Sequence, residues 1–518
     1  MFQNKVIYQI YPKSFLDTTG SGIGDLNGIR LKLSYLAELG VDYIWLSPIN
    51  ASPQYDNGYD IADYDHIDPM FGSDEDYLAL IKEAKAKDIK VMMDLVLNHT
   101  SDQHLWFQKA LQNDPVYRDF YVFRDEPNEL QSFFGGSAWT YAEGVGKYYL
   151  HFFDPHQPDL NWDNPRVRQE LYVMVNRWLA AGVEGFRLDV IDLIGKEPDR
   201  YISSKGPKFY EYLAELHEQT FKDHILTVGE CWGASFEESR KMCTKGLTQI
   251  FHFHHLMTTN GKTKWEQNPL QLAKLADVLL TWQNDYEGIE ALVMNNHDSP
   301  RLPSLWLDDQ TCRKQSAKLL ITLFGLLKGN LYLYQGEEIG MTNAHQLDLN
   351  FYRDVETFNF FDAQKEAGVP LAKIMRQIAL ISRDNARTPM QWTSGAHAGF
   401  TAGTPWIAVN ENYPQVNVED DLNSKDSVYR YYQQVIAFRK THGDLLQEAL
   451  ALEVQGEVLF LKKGTIRGYF NMSQQKPELS GVEQARIVLF ANYEDRELPA
   501  SKQGVLALRP YEVVVYTV

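Results

Sequence analysis

Cysteine is scarce in this chain. Three occur in 518 residues, Cys231, Cys243 and Cys312, and they show neither the close pairing of a disulfide framework nor metal-ligand spacing. Positive charge is also short: 50 Lys and Arg face 69 Asp and Glu, a formal net charge of -19 at pH 7. Nucleic acids and anionic membranes require a basic footprint, so neither is expected as a principal partner. No apolar run approaches the ~18 residues of a membrane span. The opening segment, MFQNKVIYQIYPKSF, enters a strand pattern without the charged leader and apolar stretch of an export signal. Cytoplasmic residence is the expectation. A dinucleotide-binding sheet is disfavoured as well, because no GxGxxG follows the first apolar run. The glycine-rich GSGIGDLNGI at 20–29 lacks that spacing and reads as a loop.

What is present is alternation. Hydrophobic residues make up 44% and charged residues 23%, an ordinary globular mixture. Apolar runs predict strands at 6–11, 43–47, 90–97, 185–190, 225–229, 248–253, 291–296 and 331–335. Helical periodicity falls between them at 28–39, 74–87, 166–181, 207–221, 268–282 and 312–328. Eight buried strands separated mainly by helices imply a parallel sheet covered by helices, and the count favours a closed (β/α)8 TIM barrel in the α/β class. The barrel is expected over 1–100 and 166–442. The aromatic, turn-rich stretch 101–165 after the third strand is too long for a bare loop and predicts an inserted subdomain. Short alternating runs over 443–518 predict a C-terminal antiparallel β-sandwich domain, with further helices near 369–382 and 428–440.

Three acidic residues stand where apolar runs end: Asp189 in GFRLDV, Glu230 in ILTVGE and Asp298 in ALVMNNHD. Residues at strand carboxyl ends converge on the mouth of a barrel, where Asp94, Asn98, His99, Arg187 and His297 would join them. Paired carboxylates divide labour when one stays ionised beside Arg187 and the other holds a proton, which is what retaining glycoside hydrolysis needs. Two-metal phosphoryl transfer also uses several acids, and a catalytically silent barrel that only binds is a third reading. Phe133, Phe134, Trp139, Phe152, Phe153 and Trp162 either fill the core of the insert or present platforms to sugar rings.

The motifs DLVLNH at 94–99, GFRLDV at 185–190, GE at 229–230 and NNHD at 295–298 resemble, in order and separation, those of the alpha-amylase family, glycoside hydrolase family 13. QPDLN at 157–161 resembles its oligo-1,6-glucosidase and dextran-glucosidase (glucan 1,6-alpha-glucosidase) branch. The resemblance implies Asp189 as nucleophile, Glu230 as general acid/base and Asp298 as transition-state stabiliser. Arg187 orients Asp189, His99 and His297 contact the glucose ring, and Tyr59 stacks beneath it. Asp56 and Arg387 clamp the non-reducing end, making the pocket blind, and Phe134, Phe153 and Gln157 contribute from the insert. Val190 and Trp232 resemble the residues of members that cleave alpha-1,6 bonds.

The implied partners are therefore isomaltose, isomaltooligosaccharides and short dextrans, released as alpha-glucose. Trehalose 6-phosphate, with Lys196, Lys205 and Lys208 as an anion group, is the alternative substrate. An alpha-1,4-glucosidase and an inactive sugar-binding scaffold are the others. Relatives that hold calcium or magnesium in the first loop read D-x-N-x-D-G-x-G-D, whereas this chain has Asp17, Thr19, Ser21, Ile23 and Asp25 at the corresponding places. Lost oxygen ligands predict weak or absent divalent binding there, and no cofactor is required. The oligomeric state is left open; a monomer suffices.

Overall fold

Eight apolar runs become the strands β1 (Val6–Ile10), β2 (Tyr43–Leu46), β3 (Lys90–Val96), β4 (Gly185–Asp189), β5 (Leu226–Glu230), β6 (Gln249–Phe251), β7 (Ala291–Val293) and β8 (Asn330–Tyr334) in a computed structural model that describes residues 2–496 and 504–518. They pair in parallel in the order β6-β5-β4-β3-β2-β1-β8-β7, and β6 comes alongside β7. The sheet thus closes into the expected TIM barrel. β1, β2, β4, β5 and β8 are buried along their whole length, as strands with helices on one face and a filled interior on the other must be. Trp45, Phe251 and Tyr332 fill that interior, with ring centroids 5.7 Å apart for Trp45 and Phe251 and 4.7 Å for Phe251 and Tyr332.

The helices carry their own punctuation. Ser73 and Asp76 form a capping box at the start of Asp74–Lys85, and Asp74, Glu75 and Asp76 lie in its first turn, where the helix dipole favours negative charge. Pro165–Ala181 opens with an Asn164 cap and a proline at its start, and ends at Gly182 with φ 105°.

Three differences from expectation have local causes. Asp25 caps Gly28 N–H at 2.7 Å, so the helix expected from 28 begins at Leu26, and it breaks at Lys32 into Leu26–Leu31 and Leu33–Leu39. β7 stops at Val293 rather than 296 because side chains replace its ladder: Asn296 Oδ1 accepts from Asp298 N–H at 2.9 Å, and Asn295 Oδ1 from Leu302 N–H. The helix Val355–Glu366 has no counterpart in the periodicity, because only Thr357 in it is buried and its apolar residues do not form a stripe.

Within 101–165 the strands Phe123–Arg124, Trp139–Ala142 and Lys147–Leu150 make a small antiparallel sheet. A bridge between His99 and Asp159 ties this subdomain to the barrel, and one between Tyr121 and Leu160 closes it on itself. Lys196, just beyond β4, adds a buried clamp, with Nζ 2.7 Å from Asp159 Oδ1 and 2.6 Å from Asn98 Oδ1.

The C-terminal strands are β9 (Leu450–Gln455), β10 (Val458–Lys463), β11 (Ile466–Asn471), β12 (Ile487–Ala491) and β13 (Val513–Thr517). They form an antiparallel sheet in the order β9-β10-β11-β13-β12. A ribbon of Glu478–Val482 and Gly504–Ala507 covers one face through Leu479, Val482 and Leu506, packed with Phe460, Tyr469 and Tyr516. On the other face Leu459, Leu461, Val513 and Val515 join the barrel's core. β9 and the ribbon were absent from the sequence pattern, since their exposed residues dilute the alternation.

The helix Val428–Thr441 closes the barrel wall through one side chain. Arg439 is fully buried and donates to Gly325 O at 2.7 Å, Leu327 O at 2.7 Å, Gly329 O at 2.8 Å and Phe324 O at 3.3 Å. These carbonyls belong to the turn that launches β8. Arg439→Leu strands them in an apolar seam, and urea denaturation is expected to show a loss of at least ~3 kcal/mol; a loss below ~1 kcal/mol would mean that water takes over the four acceptors.

Candidate active site

β4 sets the chemistry of the barrel mouth. Residues two apart share a strand face, so Gly185, Arg187 and Asp189 all face the axis. Arg187 is 1% exposed and serves three acids. Its Nη1 donates to Asp94 Oδ1 on β3 and to Asp189 Oδ1, each at 2.8 Å, while Nη2 donates to Glu230 Oε2 at the end of β5. Tyr59 Oη and Trp45 Nε1 complete Asp94, both at 3.1 Å from Oδ2. The remaining oxygen of Glu230 accepts from Trp232 Nε1 at 2.8 Å. Burial raises the Asp189 carboxyl well above its ordinary range; Arg187 opposes this, and Glu230 and Asp94 add to it. One positive charge against three carboxyls disfavours ionising all of them at once.

Val190 follows Asp189 with φ 35° and ψ 45°. A β-branched residue pays steric strain in this left-handed region. The turn swings the chain out of β4 directly beside the acids.

Asp298 lies five residues past the end of β7, placed by the Asn296 turn rather than by the strand. Its Oδ1 accepts from Arg387 Nη2 at 2.9 Å and Arg383 Nη1 at 3.1 Å, and Oδ2 lies 2.9 Å from His297 Nε2. Burial works against charge here, but His297 and the two guanidiniums outweigh it and hold Asp298 well below the usual carboxylate range. Tyr59 stacks on His297 with centroids 5.2 Å apart.

Arg387, expected to clamp the sugar together with Asp56, does not line the cavity. Arg383, not Arg387, reaches Asp56 Oδ1, at 3.3 Å, and Gln157 Nε2 reaches Oδ2 at 3.2 Å. Arg387 is held behind, by Asp298, by Asp354 Oδ1 at 3.4 Å and by the His297 carbonyl at 3.0 Å. Burial pushes Asp56 up to about 7 against Arg383 and Arg387. His99 lies 3.2 Å from Gln157 Nε2, and burial lowers it to about 4, with Asp159 opposing and Lys196 adding. It therefore stays neutral at physiological pH.

These groups surround a cavity of about 440 Å³, within the range of small-molecule sites. Asp56, Tyr59, His99, Phe134, Phe153, Asp189, Val190, Glu230, Trp232 and Asp298 line it; Gln157, Arg187, His297 and Arg387 stand one layer behind. Asn359 Nδ2 donates to the Phe134 carbonyl at 3.0 Å, which joins the subdomain loop to the helix Val355–Glu366 over the cavity. Trp232 is 43% exposed at the rim and stacks on Phe253 at 4.0 Å. The sequence reading missed Arg383, Glu356, Lys264 and Asp192, which also line the cavity. Arg383 was the findable one, because it stands four residues before Arg387 in RDNAR, the spacing that places two side chains on one helical face.

Residues 9–449 match the family model described as the alpha amylase catalytic domain. The chain belongs to the alpha-amylase family. It is 46% identical over 513 residues to a glucan 1,6-alpha-glucosidase of Streptococcus pneumoniae serotype 4, covering 96% of each chain. With a glucan 1,6-alpha-glucosidase of Streptococcus dysgalactiae subsp. equisimilis the identity is 49% over 455 residues, covering 86% of this chain and 84% of the relative. Among solved structures, a trehalose-6-phosphate hydrolase of Bacillus licheniformis superposes with a TM-score of 0.91 at 40% identity, covering 99% of this chain and 98% of that one. No described helix is long and apolar enough to cross a membrane.

A first-loop cation meets a poor fit in these residues. Asp17 Oδ1 accepts from Thr19 N–H at 2.8 Å, Thr19 Oγ1 at 2.9 Å and Gly20 N–H at 2.9 Å, and Oδ2 from Gly22 N–H at 2.7 Å and Thr401 Oγ1 at 2.5 Å. Asp25 is occupied by Thr18 N–H at 2.6 Å and Gly28 N–H at 2.7 Å. Ser21 Oγ donates to the Ile23 carbonyl at 3.1 Å. Both carboxylates are turned onto protein donors, and a hard cation would have to displace them. Millimolar calcium, magnesium or a chelator is expected to move the melting midpoint by less than about 1 °C; a rise of several degrees with either ion would reveal a bound state, since ligand binding adds stability by mass action.

Proposed function

We propose that this protein is a retaining, exo-acting alpha-glucosidase that hydrolyses terminal alpha-1,6-glucosidic bonds of isomaltose, isomaltooligosaccharides and short dextrans and releases alpha-glucose. The observation that carries the reading is the sharing of Arg187 by Asp189 and Glu230 in a cavity that Asp56 and Arg383 also line as an ion pair. Acids hydrogen-bonded to the two terminal nitrogens of one guanidinium sit close, which suits the ~5–5.5 Å of retaining enzymes rather than the ~6.5–9.5 Å of inverting ones.

In this mechanism Glu230 gives a proton to the glycosidic oxygen as the bond to the anomeric carbon breaks. Asp189 attacks that carbon and forms a beta-linked glucosyl ester. Water then attacks the same carbon as its ester bond to Asp189 breaks, the water's proton passing to Glu230, and alpha-glucose leaves with retained configuration. Asp298, kept ionised by His297, Arg383 and Arg387, holds sugar hydroxyls as positive charge develops on the ring. Asp56, Gln157 and His99 bind the terminal glucose, and Tyr59 lies against its face. The neutral His99 offers hydroxyls a hydrogen bond without adding positive charge. No step draws on a metal or cofactor. The three free cysteines support a reducing, cytoplasmic setting.

Electrostatics argue against a phosphorylated substrate. The cations lining the cavity are Arg383 and Lys264, and each is already paired, Arg383 with Asp56, Asp298 and Asp354, Lys264 with Glu356 at 2.6 Å. The three lysines considered as an anion group are paired as well. Lys196 holds Asp159 at 2.7 Å, Lys205 holds Glu238 at 3.0 Å and Lys208 holds Asp163 at 3.1 Å. Val190 and Trp232 beside the acids support the alpha-1,6 linkage over alpha-1,4, and the intact acid trio opposes a silent scaffold.

Initial rates on isomaltose, isomaltotriose, short dextran, maltose, sucrose and trehalose 6-phosphate test the substrate. Isomaltose-type sugars are expected to lead maltose at least tenfold in kcat/KM, a difference of about 1.4 kcal/mol; a lead for trehalose 6-phosphate would reverse the assignment. Asp189→Asn is expected to lower kcat by on the order of 10⁴ or more, as removal of a nucleophile does. Near-normal turnover in that variant would refute the assigned nucleophile.

A further inference from the structure

Six carboxylates line the cavity: Asp56, Asp189, Asp192, Glu230, Asp298 and Glu356. Five have cationic partners, Asp56 with Arg383, Asp189 and Glu230 with Arg187, Asp298 with Arg383 and Arg387, and Glu356 with Lys264. Asp192 is the exception among the described residues. The nearby cation, Lys205, is committed to Glu238 at 3.0 Å. Lys205 meets Asp192 only through the backbone, where its N–H donates to the Asp192 carbonyl at 2.7 Å. No described side-chain donor reaches the Asp192 carboxyl, which stays half-buried in the cavity wall.

Its position tells what it faces. The cavity residues Asp56, Tyr59, His99 and Phe153 gather at the closed end, where the terminal glucose sits in the proposed function. Asp192 lies on the short turn Ile191–Gly195 that follows Val190, and it shares the rim beyond the acid pair with Ser203, Ser204 and the half-exposed Trp232. This is where the leaving sugar must rest. Burial raises the Asp192 carboxyl to about 7, with Lys205 opposing and Glu230 adding. Apart from its own backbone N–H, no described donor serves this half-buried carboxyl, and a sugar hydroxyl supplies a further hydrogen bond that offsets desolvation as the leaving sugar covers it.

Resting on that functional reading, we propose that Asp192 is a specificity-determining residue on the leaving-group side. It accepts a hydroxyl of the departing sugar and, through its negative charge, rejects leaving groups that carry an anionic substituent such as a phosphate ester. The same carboxylate thereby favours neutral glucosides twice, by a hydrogen bond gained and by a repulsion avoided.

The test compares wild type, Asp192→Asn and Asp192→Glu at pH 8 on isomaltose, 4-nitrophenyl alpha-glucoside and trehalose 6-phosphate. The nitrophenyl group carries no hydroxyl for Asp192 to accept, so it reports the glucose end and the chemistry alone. Asp192→Asn is expected to lower the kcat/KM ratio of isomaltose to the aryl glucoside about tenfold, chiefly through KM, the size of one charge-assisted hydrogen bond. It is expected to raise the ratio of trehalose 6-phosphate to isomaltose by about tenfold or more. Asp192→Glu keeps the charge and is expected to keep the rejection of the phosphate. Changes below about twofold in both ratios for Asp192→Asn, within the scatter of a surface substitution, would overturn the inference. So would equal loss on isomaltose and aryl glucoside, which marks a structural role. A wild-type preference for trehalose 6-phosphate would instead strike the functional reading itself, so the two failures are separable.

Discussion

The Arg187 guanidinium is the constraint on which the barrel mouth depends. It brings one positive charge to a buried place where Asp94, Asp189 and Glu230 converge from three successive strands. Removing it would leave several acids in a medium that disfavours charge, a far larger disturbance than the loss of one ion pair. The same charge shortage disfavours ionising all three acids at once, the condition under which one of them can act as an acid. Structure and chemistry therefore share a cause: the acids are close because one cation must serve them all.

A second charged layer shapes recognition. Arg383 and Arg387 stand against Asp56, Asp298 and Asp354, at the part of the cavity assigned to the terminal glucose in the proposed function. Asp298 is kept ionised by these neighbours, whereas Asp189 is pushed toward protonation. Two carboxylates in one cavity thus respond oppositely because their partners differ, and the pairing of every cation along the wall leaves neutral hydroxyls as the fitting ligand. The subdomain clamp at Lys196 and the Asn359 contact to the Phe134 carbonyl hold the aromatic wall over this layer.

Much of the barrel was legible because buried strands and amphipathic helices write distinct periods, and caps such as Ser73 and Asn164 with Pro165 mark their ends. Asp189 and Glu230 were legible as acids ending apolar runs. Asp298 was legible as an acid, but its place was not: the Asn295 and Asn296 side chains end the strand early and carry it into a loop. The spacing in RDNAR places Arg383 and Arg387 on one helical face, but only tertiary contacts decide that Arg383 lines the cavity and Arg387 stands behind it. Asp192 hid for a related reason. An acid on a turn after a strand looks like any solvated residue until its missing partner becomes visible.

In the proposed mechanism Asp189, held by Arg187 beside Glu230, forms a bond to the anomeric carbon. A fluorinated alpha-glucosyl fluoride, which slows departure of the glucosyl group, followed by peptide mapping in a mass spectrometer, reads that bond directly. One fluoroglucosyl group on the peptide that carries Asp189, attached to that side chain, is the expected result. A label on Glu230 or Asp298, or steady turnover of the reagent with inverted configuration, would contradict the account.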